Sequence, residues 1–208
     1  MAAMDAAPAP RHAFVTRLWH WGNAVVVIVM LMSGATISNA HRFLYWGQKG
    51  AMPEEAWLRL PRFPGWMTIP SRYDLSSARE WHLAFAWLFA FGLGAFLAIS
   101  LLNGHIGRDF RLGQPGSRYH PLQKLVYCGL LFGMLPLLIG TGLTLSPGMN
   151  AAWPWLLDLF GGRQSARTIH FLLAGTMVAF LMGHVALVLI SGPAKLMRGM
   201  LWGTEDAS

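Results

Sequence analysis

The sequence predicts an all-α integral membrane protein built as a bundle of four transmembrane helices. Of its 208 residues, 54% are hydrophobic and only 12% are charged, whereas a soluble domain carries about 25% charged residues. Glycine and tryptophan are also abundant, with 23 and 10 residues, as is typical of membrane helices and their interfacial belts. Four apolar runs are each long enough to cross the hydrocarbon of a bilayer, which takes about 20 residues.

The four runs contain no Asp, Glu, Lys or Arg. They cover approximately residues 18–37, 81–102, 125–145 and 168–191. We expect them to form a single membrane domain over residues 1–208. The long loop 38–80 is rich in Trp, Pro and Arg, and its stretch P-E-E-A-W-L-R-L predicts a short amphipathic helix. Pro136, in the middle of the third run, predicts a kink there.

Charge and cysteine content exclude several classes of protein. The net charge of +7 does not indicate nucleic-acid binding, because the basic residues lie singly in loops and at helix ends, as in membrane proteins. Lys and Arg divide equally between the two faces, so the positive-inside rule does not orient the chain. The single cysteine, Cys128, excludes an internal disulfide and a cysteine-held iron–sulfur cluster. No C-x-x-C-H motif occurs, so any haem is bound non-covalently.

Four of the eight histidines lie inside the apolar runs, at His20, His82, His170 and His184. Hydrocarbon penalises a polar group without a partner, so such residues indicate a functional site. His170 and His184 are fourteen residues apart in the fourth run. Fourteen helical steps turn through about 1400°, which is about 40° short of four full turns, so these two histidines share a face about 21 Å apart.

The direction of the helices then arranges the four histidines in pairs. Successive helices cross the membrane in opposite directions, so the start of the first lies level with the end of the fourth. His20 is therefore predicted beside His184 on the face where both termini lie, called here the terminal face. By the same reasoning His82 lies beside His170 on the face of loop 38–80, the loop face.

Two neutral imidazoles from facing helices are a common way for a bundle to hold a haem iron. Zinc needs more ligands, and no helical Asp, Glu or Cys is placed to supply them. We therefore predict a bundle enclosing two non-covalent haems b, each with two axial histidines. Interhelical hydrogen bonding is the alternative role for these side chains.

An arginine precedes three of the four histidines by one helical turn, in R-L-W-H, R-E-W-H and R-T-I-H. The spacing i, i+3 places both side chains on one face, with the arginine nearer to water. Since guanidinium pairs well with carboxylate, Arg17, Arg79 and Arg167 are predicted to bind haem propionates. The alternative is that these arginines extend to the interface at helix ends and bind nothing specific.

The sequence resembles the bacterial two-haem membrane cytochromes b, which include formate dehydrogenase gamma subunits and the cytochrome b subunits of nickel–iron hydrogenase and thiosulfate reductase. The resemblance is carried by R-L-W-H-W-G-N-A, R-Y-H-P-L-Q-K and the histidine spacing of the fourth run. The stretches F-P-G-W-M-T-I-P-S-R-Y-D-L and N-G-H-I-G-R-D resemble the thiosulfate-reductase-type branch most closely, whose members often pair with a molybdenum-cofactor enzyme. The resemblance implies cytoplasmic termini, two haems b and a quinone site beside the cytoplasmic-side haem, here that of His20 and His184.

The resemblance also implies quinone-binding residues before the third helix. The family's pattern there is Tyr-Asn-x-x-Gln-Lys, and this chain has Tyr119, His120, Gln123 and Lys124. His120 stands where the family has an asparagine that helps to hold the quinone. A histidine can hydrogen-bond a quinone carbonyl and can also carry a proton, although His120 could equally be an ordinary loop residue.

These features predict an electron-transfer subunit of the bacterial inner membrane, multi-pass, with both termini cytoplasmic. It would pass electrons between a periplasmic redox partner (a molybdenum enzyme, an iron–sulfur protein or a c-type cytochrome) and the membrane quinone pool, in contact with membrane lipid. Whether the chain is itself an enzyme stays open. One alternative is a stand-alone superoxide:quinone oxidoreductase, which needs no partner. The other is a passive membrane anchor or a metal transporter, and it predicts no haem.

Overall fold

The computed structural model describes residues 14–50, 52–102 and 121–203. Within them, four helices are long and apolar enough to cross a membrane. The first is α1 (Phe14–Ala40), the second is α2 (Leu75–Leu102), the third is the span Lys124–Leu145, and the fourth is α7 (Arg163–Ile190). The predicted fold class is therefore confirmed, and each span begins one to six residues before its predicted apolar run.

The third span is not a regular helix throughout. It consists of α3 (Pro121–Cys128), a π-helical segment (Gly129–Met134) and α4 (Leu135–Leu145). The N–H of Leu135 donates to the carbonyl of Leu130, five residues earlier. The helix is thus irregular just before Pro136, where the sequence predicted a kink, because a proline cannot donate the usual hydrogen bond and a widened turn accommodates it.

Shorter elements complete the chain. They are β1 (Phe43–Leu44), a 3-10 turn (Pro53–Glu55), β2 (Leu58–Arg59), a second 3-10 turn (Gly65–Met67), α5 (Pro147–Ala152), α6 (Trp155–Leu159) and α8 (Pro193–Leu201). Strands β1 and β2 pair antiparallel, with Phe43 opposite Arg59 and Leu44 opposite Leu58.

The helix predicted for P-E-E-A-W-L-R-L does not form. Only its first residues make a 3-10 turn, and β2 follows. The N–H of Trp57 donates to the carbonyl of Leu44, and the N–H of Leu60 donates to the carbonyl of Arg42. Strand pairing therefore takes the backbone groups that a helix would use, and it buries Leu60, so the tertiary contact overrides the local pattern.

The four long helices pack as two hairpins, α1 along α2 and α4 along α7. A cluster of buried side chains joins them, formed by Phe89, Leu93, Leu135 and Met177. Met177 lies midway between His170 and His184 on α7, so the cluster lies between the two histidine levels. Many outward-facing side chains are large and apolar, among them Leu102 at 86% and Ile190 at 82% exposed. Lipid is the environment in which such a surface is stable.

The loop between α1 and α2 is bound to the start of α7. The carbonyl of Gly47 accepts the N–H groups of Gln164 and Ser165, and the hydroxyl of Thr168 donates to the carbonyl of Tyr45 at 2.7 Å. Gly162 has φ 105° and approaches Gly47 so closely that a Cβ would lie 2.8 Å from its backbone. Only glycine fits there, and the contact holds the loop against the start of α7.

Candidate functional sites

The structure places the four membrane histidines in two pairs. The imidazole rings of His20 and His184 have centres 6.2 Å apart and planes inclined by 49°. The rings of His82 and His170 also have centres 6.2 Å apart, with planes inclined by 71°. These are the two pairs that antiparallel helix crossing led us to expect, and each joins one hairpin to the other.

The ring separation matches the geometry of two axial ligands. A metal–imidazole nitrogen bond is about 2.0 Å, and the ring centre lies about 1.1 Å beyond the nitrogen, so two rings on opposite sides of one iron have centres about 6.2 Å apart. Two imidazoles that hydrogen-bonded each other directly would have their ring centres about 1 Å closer, since the nitrogens would be about 2.9 Å apart. The residues present therefore fit a haem iron at both levels.

At the loop-face pair, hydrogen bonds fix the tautomer of His82. Its Nδ1 lies 3.2 Å from the carbonyl oxygen of Met30 and 3.0 Å from the hydroxyl of Ser33. The Ser33 hydroxyl donates its own proton to the carbonyl of Val29 at 2.7 Å. Since a carbonyl can only accept, Nδ1 carries the proton and Nε2 keeps the lone pair that an iron requires.

His170 repeats this arrangement against the third span. Its Nδ1 lies 3.1 Å from the carbonyl oxygen of Leu138 and 3.0 Å from the hydroxyl of Thr141. The Thr141 hydroxyl donates to the carbonyl of Leu137 at 2.9 Å. In both cases a hydroxyl residue and the carbonyl three residues before it accept the same Nδ1–H. The two axial candidates are thus held by one local motif, used once in each hairpin.

A glycine follows each hydroxyl residue and makes room for the ring. A Cβ added to Gly34 would lie 3.5 Å from Cε1 of His82, and one added to Gly142 would lie 3.2 Å from Cε1 of His170. Our reading of the sequence missed these Ser-Gly and Thr-Gly pairs. The available signal was a hydroxyl residue followed by glycine in mid-span, but it shows neither which helix the pair faces nor what it binds.

The terminal-face pair has an aromatic environment. The ring of Phe180 stacks on His184 at 6.2 Å between centres, and Trp21 lies edge-on to His20 at 5.0 Å. The indole N–H of Trp21 donates to the carbonyl of Met200 at 3.1 Å. Helix α8 is thereby tied to the first turns of α1, beside His20.

Arg17 also takes part in this tie. Its guanidinium donates to the carbonyl of Leu201 at 2.8 Å, so it caps the end of α8 and lies close to Gly203. The sequence prediction that Arg17 binds a propionate remains a prediction. The side chain has a second role that the sequence did not reveal, because the residues that meet are 184 positions apart.

At the loop face, Arg79 and Arg167 meet two further residues. The guanidinium of Arg79 lies 3.3 Å from Nε2 of His41, and that of Arg167 donates to the side chain of Gln164 at 2.9 Å. Burial, then the positive charges of Arg167, Arg79 and Arg163, hold the pKa of His41 below its ordinary value. The predicted propionate ligands of this face thus belong to a larger basic cluster.

The predicted quinone residues are described only in part. Tyr119 and His120 lie outside the described residues, and of Gln123 only the backbone, within α3, is described. Lys124 is buried, with 3% of its surface exposed. The quinone assignment therefore stays a prediction.

Within residues 14–50, 52–102 and 121–203, no three or more His, Cys, Asp or Glu side chains come together as a metal site would require. A haem needs only two protein ligands, since the porphyrin supplies the other four. Histidine pairs without a third ligand therefore suit haem better than a bare metal ion.

Comparison with known proteins identifies a matching family. The model of the prokaryotic cytochrome b561 family matches residues 11–203. A protein of Azospira oryzae, provisionally named protein-methionine-sulfoxide reductase subunit YedZ1, is 27% identical over 191 residues, covering 83% of this chain and 86% of its own length. The provisionally named cytochrome YdhU of Escherichia coli is 24% identical over 202 residues, covering 82% of this chain and 64% of its own length. No solved structure matches the chain significantly. The family match confirms the resemblance to membrane cytochromes b, and the chain belongs to the prokaryotic cytochrome b561 family.

Proposed function

We propose that this multi-pass membrane cytochrome binds two haems b and connects a redox partner at its loop face with quinone at its terminal face. His82 and His170 would hold the iron of the loop-face haem, and His20 and His184 would hold that of the terminal-face haem. When bound, haem b supplies a one-electron Fe(III)/Fe(II) couple at each site.

One observation carries this proposal: both histidine pairs have the 6.2 Å ring separation that a shared iron requires. Two further contacts support it at the loop face, where the carbonyls of Met30 and Leu138 hold the Nδ1 protons. These contacts leave the Nε2 of each histidine available to iron without any rearrangement, so both side chains are already oriented for binding.

The residues between the two levels keep water out. Phe89, Leu93, Leu135 and Met177 fill the space between the histidine pairs, and no ionisable side chain belongs to this cluster. A dry separation keeps protons and solvent away from the path between two redox sites. With two protein ligands per iron, neither site offers an open position, so electron transfer suits the geometry better than oxygen binding.

The loop face is the docking side for the redox partner. Its exposed aromatic side chains include Trp46, Trp57 and Trp66, and its loop is clamped to α7 rather than free. Methionine-sulfoxide reductase appears in the name of the Azospira oryzae relative, which supports a soluble oxidoreductase as the partner here. A molybdenum-cofactor enzyme, as in the thiosulfate-reductase-type branch, is our first choice. This face is then periplasmic, and both termini are cytoplasmic.

The quinone site lies at the terminal face, near His20 and His184, with Tyr119, His120, Gln123 and Lys124 as its residues. Burial of the Lys124 side chain supports a role inside the protein rather than at its solvated surface. Arg17, Arg79 and Arg167 serve the haem propionates, Arg17 in addition to capping α8.

The test is a reduced-minus-oxidised absorbance spectrum with a measured haem:protein ratio. We expect two haems b per chain. His82→Ala and His170→Ala should lose the same haem, and His20→Ala and His184→Ala should lose the other, while Cys128→Ala keeps both. A chain that carries no haem, or a pattern in which His20→Ala and His82→Ala remove the same haem, would refute the assignment.

A second experiment addresses the partner. Affinity purification of the tagged chain from native membranes under mild detergent should retain a soluble redox subunit that reduces or oxidises the haems. A partnerless chain that reduces quinone with superoxide would instead establish the stand-alone oxidoreductase. Fusing a cytoplasmic reporter and a periplasmic reporter in turn to the C-terminus tests the orientation, since only the cytoplasmic reporter should be active.

A further inference from the structure

A basic cluster lies at the loop face, directly above the His82–His170 pair. Arg79 on α2 is one helical turn before His82, and Arg163 and Arg167 on α7 are two turns and one turn before His170. His41, which follows α1, completes the cluster through its contact with Arg79. These four residues come from two helices and from the loop after α1, and they are called here the loop-face cluster.

Among the described residues, no Asp or Glu neutralises the positive charge of this cluster. The described residues offer none of its members an ion pair with Asp or Glu, and the charged groups that face His41 are Arg79 from α2 and Arg163 and Arg167 from α7. Like charges held together repel one another. His41, Arg163 and Arg167 are partly buried, which strengthens the repulsion, whereas Arg79 is exposed. Such an arrangement is stable when an anion occupies it, and carboxylates match guanidinium groups best.

The two propionates of a haem b leave the porphyrin on one edge and supply two carboxylates. Because the cluster stands one turn above the loop-face pair, those carboxylates fit it. The three guanidinium groups stay charged at any physiological pH. His41 is the one member that can gain or lose a proton in that range.

We propose that His41 is the redox-linked proton site of the loop-face haem: one electron added at the iron is balanced by one proton that His41 takes up from solvent at the loop face. This inference rests on the proposed function. The proton binds to Nε2, where Arg79 now donates its hydrogen bond, and Arg79 then pairs with a propionate alone.

The physical cause is electrostatic. An added electron makes the haem more negative and favours a positive charge nearby, and a half-buried site is screened less than an exposed one. Without the haem, burial and the three arginines keep the pKa of His41 low, so it is poised to be neutral until negative charge is added. A proton taken up on reduction lowers the cost of placing that electron in a low-dielectric site.

The test is a spectroelectrochemical titration of the purified two-haem protein between pH 5 and pH 9. The midpoint potential of the loop-face haem should fall as the pH rises, between the pKa of His41 in the oxidised protein and that in the reduced protein. The slope approaches but does not exceed about 59 mV per pH unit, the value for one proton per electron. The terminal-face haem is an internal control whose potential should not depend on His41.

Two substitutions of His41 fix the charge at this position, one as neutral and the other as positive. His41→Gln keeps a hydrogen-bonding side chain without a titrating proton, so the potential should become independent of pH over this window and stay at the low, high-pH value. His41→Lys holds a permanent charge, so the potential should stay at the high, low-pH value. Arg59→Gln removes a charge from the same face outside the cluster, where Arg59 lies over Phe43, and should keep the wild-type slope.

An unchanged slope in His41→Gln or in His41→Lys would overturn the inference, as would a wild-type potential that does not vary with pH. Either variant alone decides the question if the other fails to fold. A purified wild-type protein that contains no haem would instead refute the proposed function. Failure of the His41 inference and failure of the proposed function are therefore distinguishable.

Discussion

Replacing Gly142 with alanine perturbs one proposed haem ligand, His170, by a single methyl group. The added Cβ would lie 3.2 Å from Cε1 and 3.7 Å from Nδ1 of His170. The ring cannot withdraw freely, because its Nδ1 is held at 3.1 Å by the carbonyl of Leu138 and at 3.0 Å by Thr141. The His170 ring must therefore shift by a few tenths of an ångström, away from Gly142.

The size of the effect follows from that contact. Overpacking by one methyl group costs about 1–3 kcal/mol. If this strain is relieved when the iron is released, haem affinity at the loop face falls by roughly 5- to 150-fold. The matched variant Gly34→Ala places its Cβ at 3.5 Å from Cε1 of His82, an ordinary contact, so its effect should be several-fold smaller.

The assay is the rate of haem transfer to an excess of a haem-scavenging protein, followed separately for each haem by absorbance. Gly142→Ala should accelerate loss of the loop-face haem alone. Gly175→Ala, on the outer surface of α7 with nothing within 4 Å of its Cβ, should behave as wild type. Equal effects of Gly34→Ala and Gly142→Ala, or faster loss of the terminal-face haem, would show that the ring contact is not the cause.

Three further predictions concern the ligands and their supports. Ser33→Ala and Thr141→Ala each remove one acceptor of an Nδ1–H, worth about 1 kcal/mol, which makes the imidazole a weaker donor; a redox titration should show the loop-face potential raised by a few tens of millivolts. Trp21→Phe removes the hydrogen bond to Met200, so limited proteolysis should cut α8 faster, and unchanged cleavage would contradict the tie. Asp74 accepts hydrogen bonds from the hydroxyl of Ser77 and from its backbone N–H at the start of α2. These bonds, the hydroxyl's first, hold the pKa of Asp74 below its ordinary value. Their contribution to stability is complete above the ordinary pKa and is lost as the pH falls through the lowered one, so Asp74→Ala should flatten the acid limb of a thermal-unfolding profile measured against pH.

The main features of the fold followed from simple physical rules applied to the chain. Bilayer thickness identifies the four spans from the sequence, and the alternation of helix direction predicts the pairing of His20 with His184 and of His82 with His170. Both inferences use only lengths and directions, which are local properties. The helix predicted over P-E-E-A-W-L-R-L was wrong for the opposite reason: a local amphipathic pattern lost to strand pairing with residues more than ten positions away.

The ligand supports also lay beyond the reach of local patterns. Nothing near His170 in the chain indicates that Thr141 and Leu138 accept its Nδ1–H, and nothing near Arg17 indicates that it caps α8. A hydrogen bond depends on the rotation and depth of one helix against another to within a few tenths of an ångström. The pattern of apolar residues fixes such rotation only to within about a third of a turn.

Composition and helix length alone thus establish a four-span membrane protein with four histidines at two depths, because hydrophobic burial and helical rise act residue by residue. Packing of the two hairpins decides the rest. It sets the 6.2 Å separations between ring centres and places the Nδ1–H groups of His82 and His170 in hydrogen bonds with backbone carbonyls. It also brings His41 beside three arginines. These are contacts between residues far apart in the chain, and their energies exist only once the helices have come together.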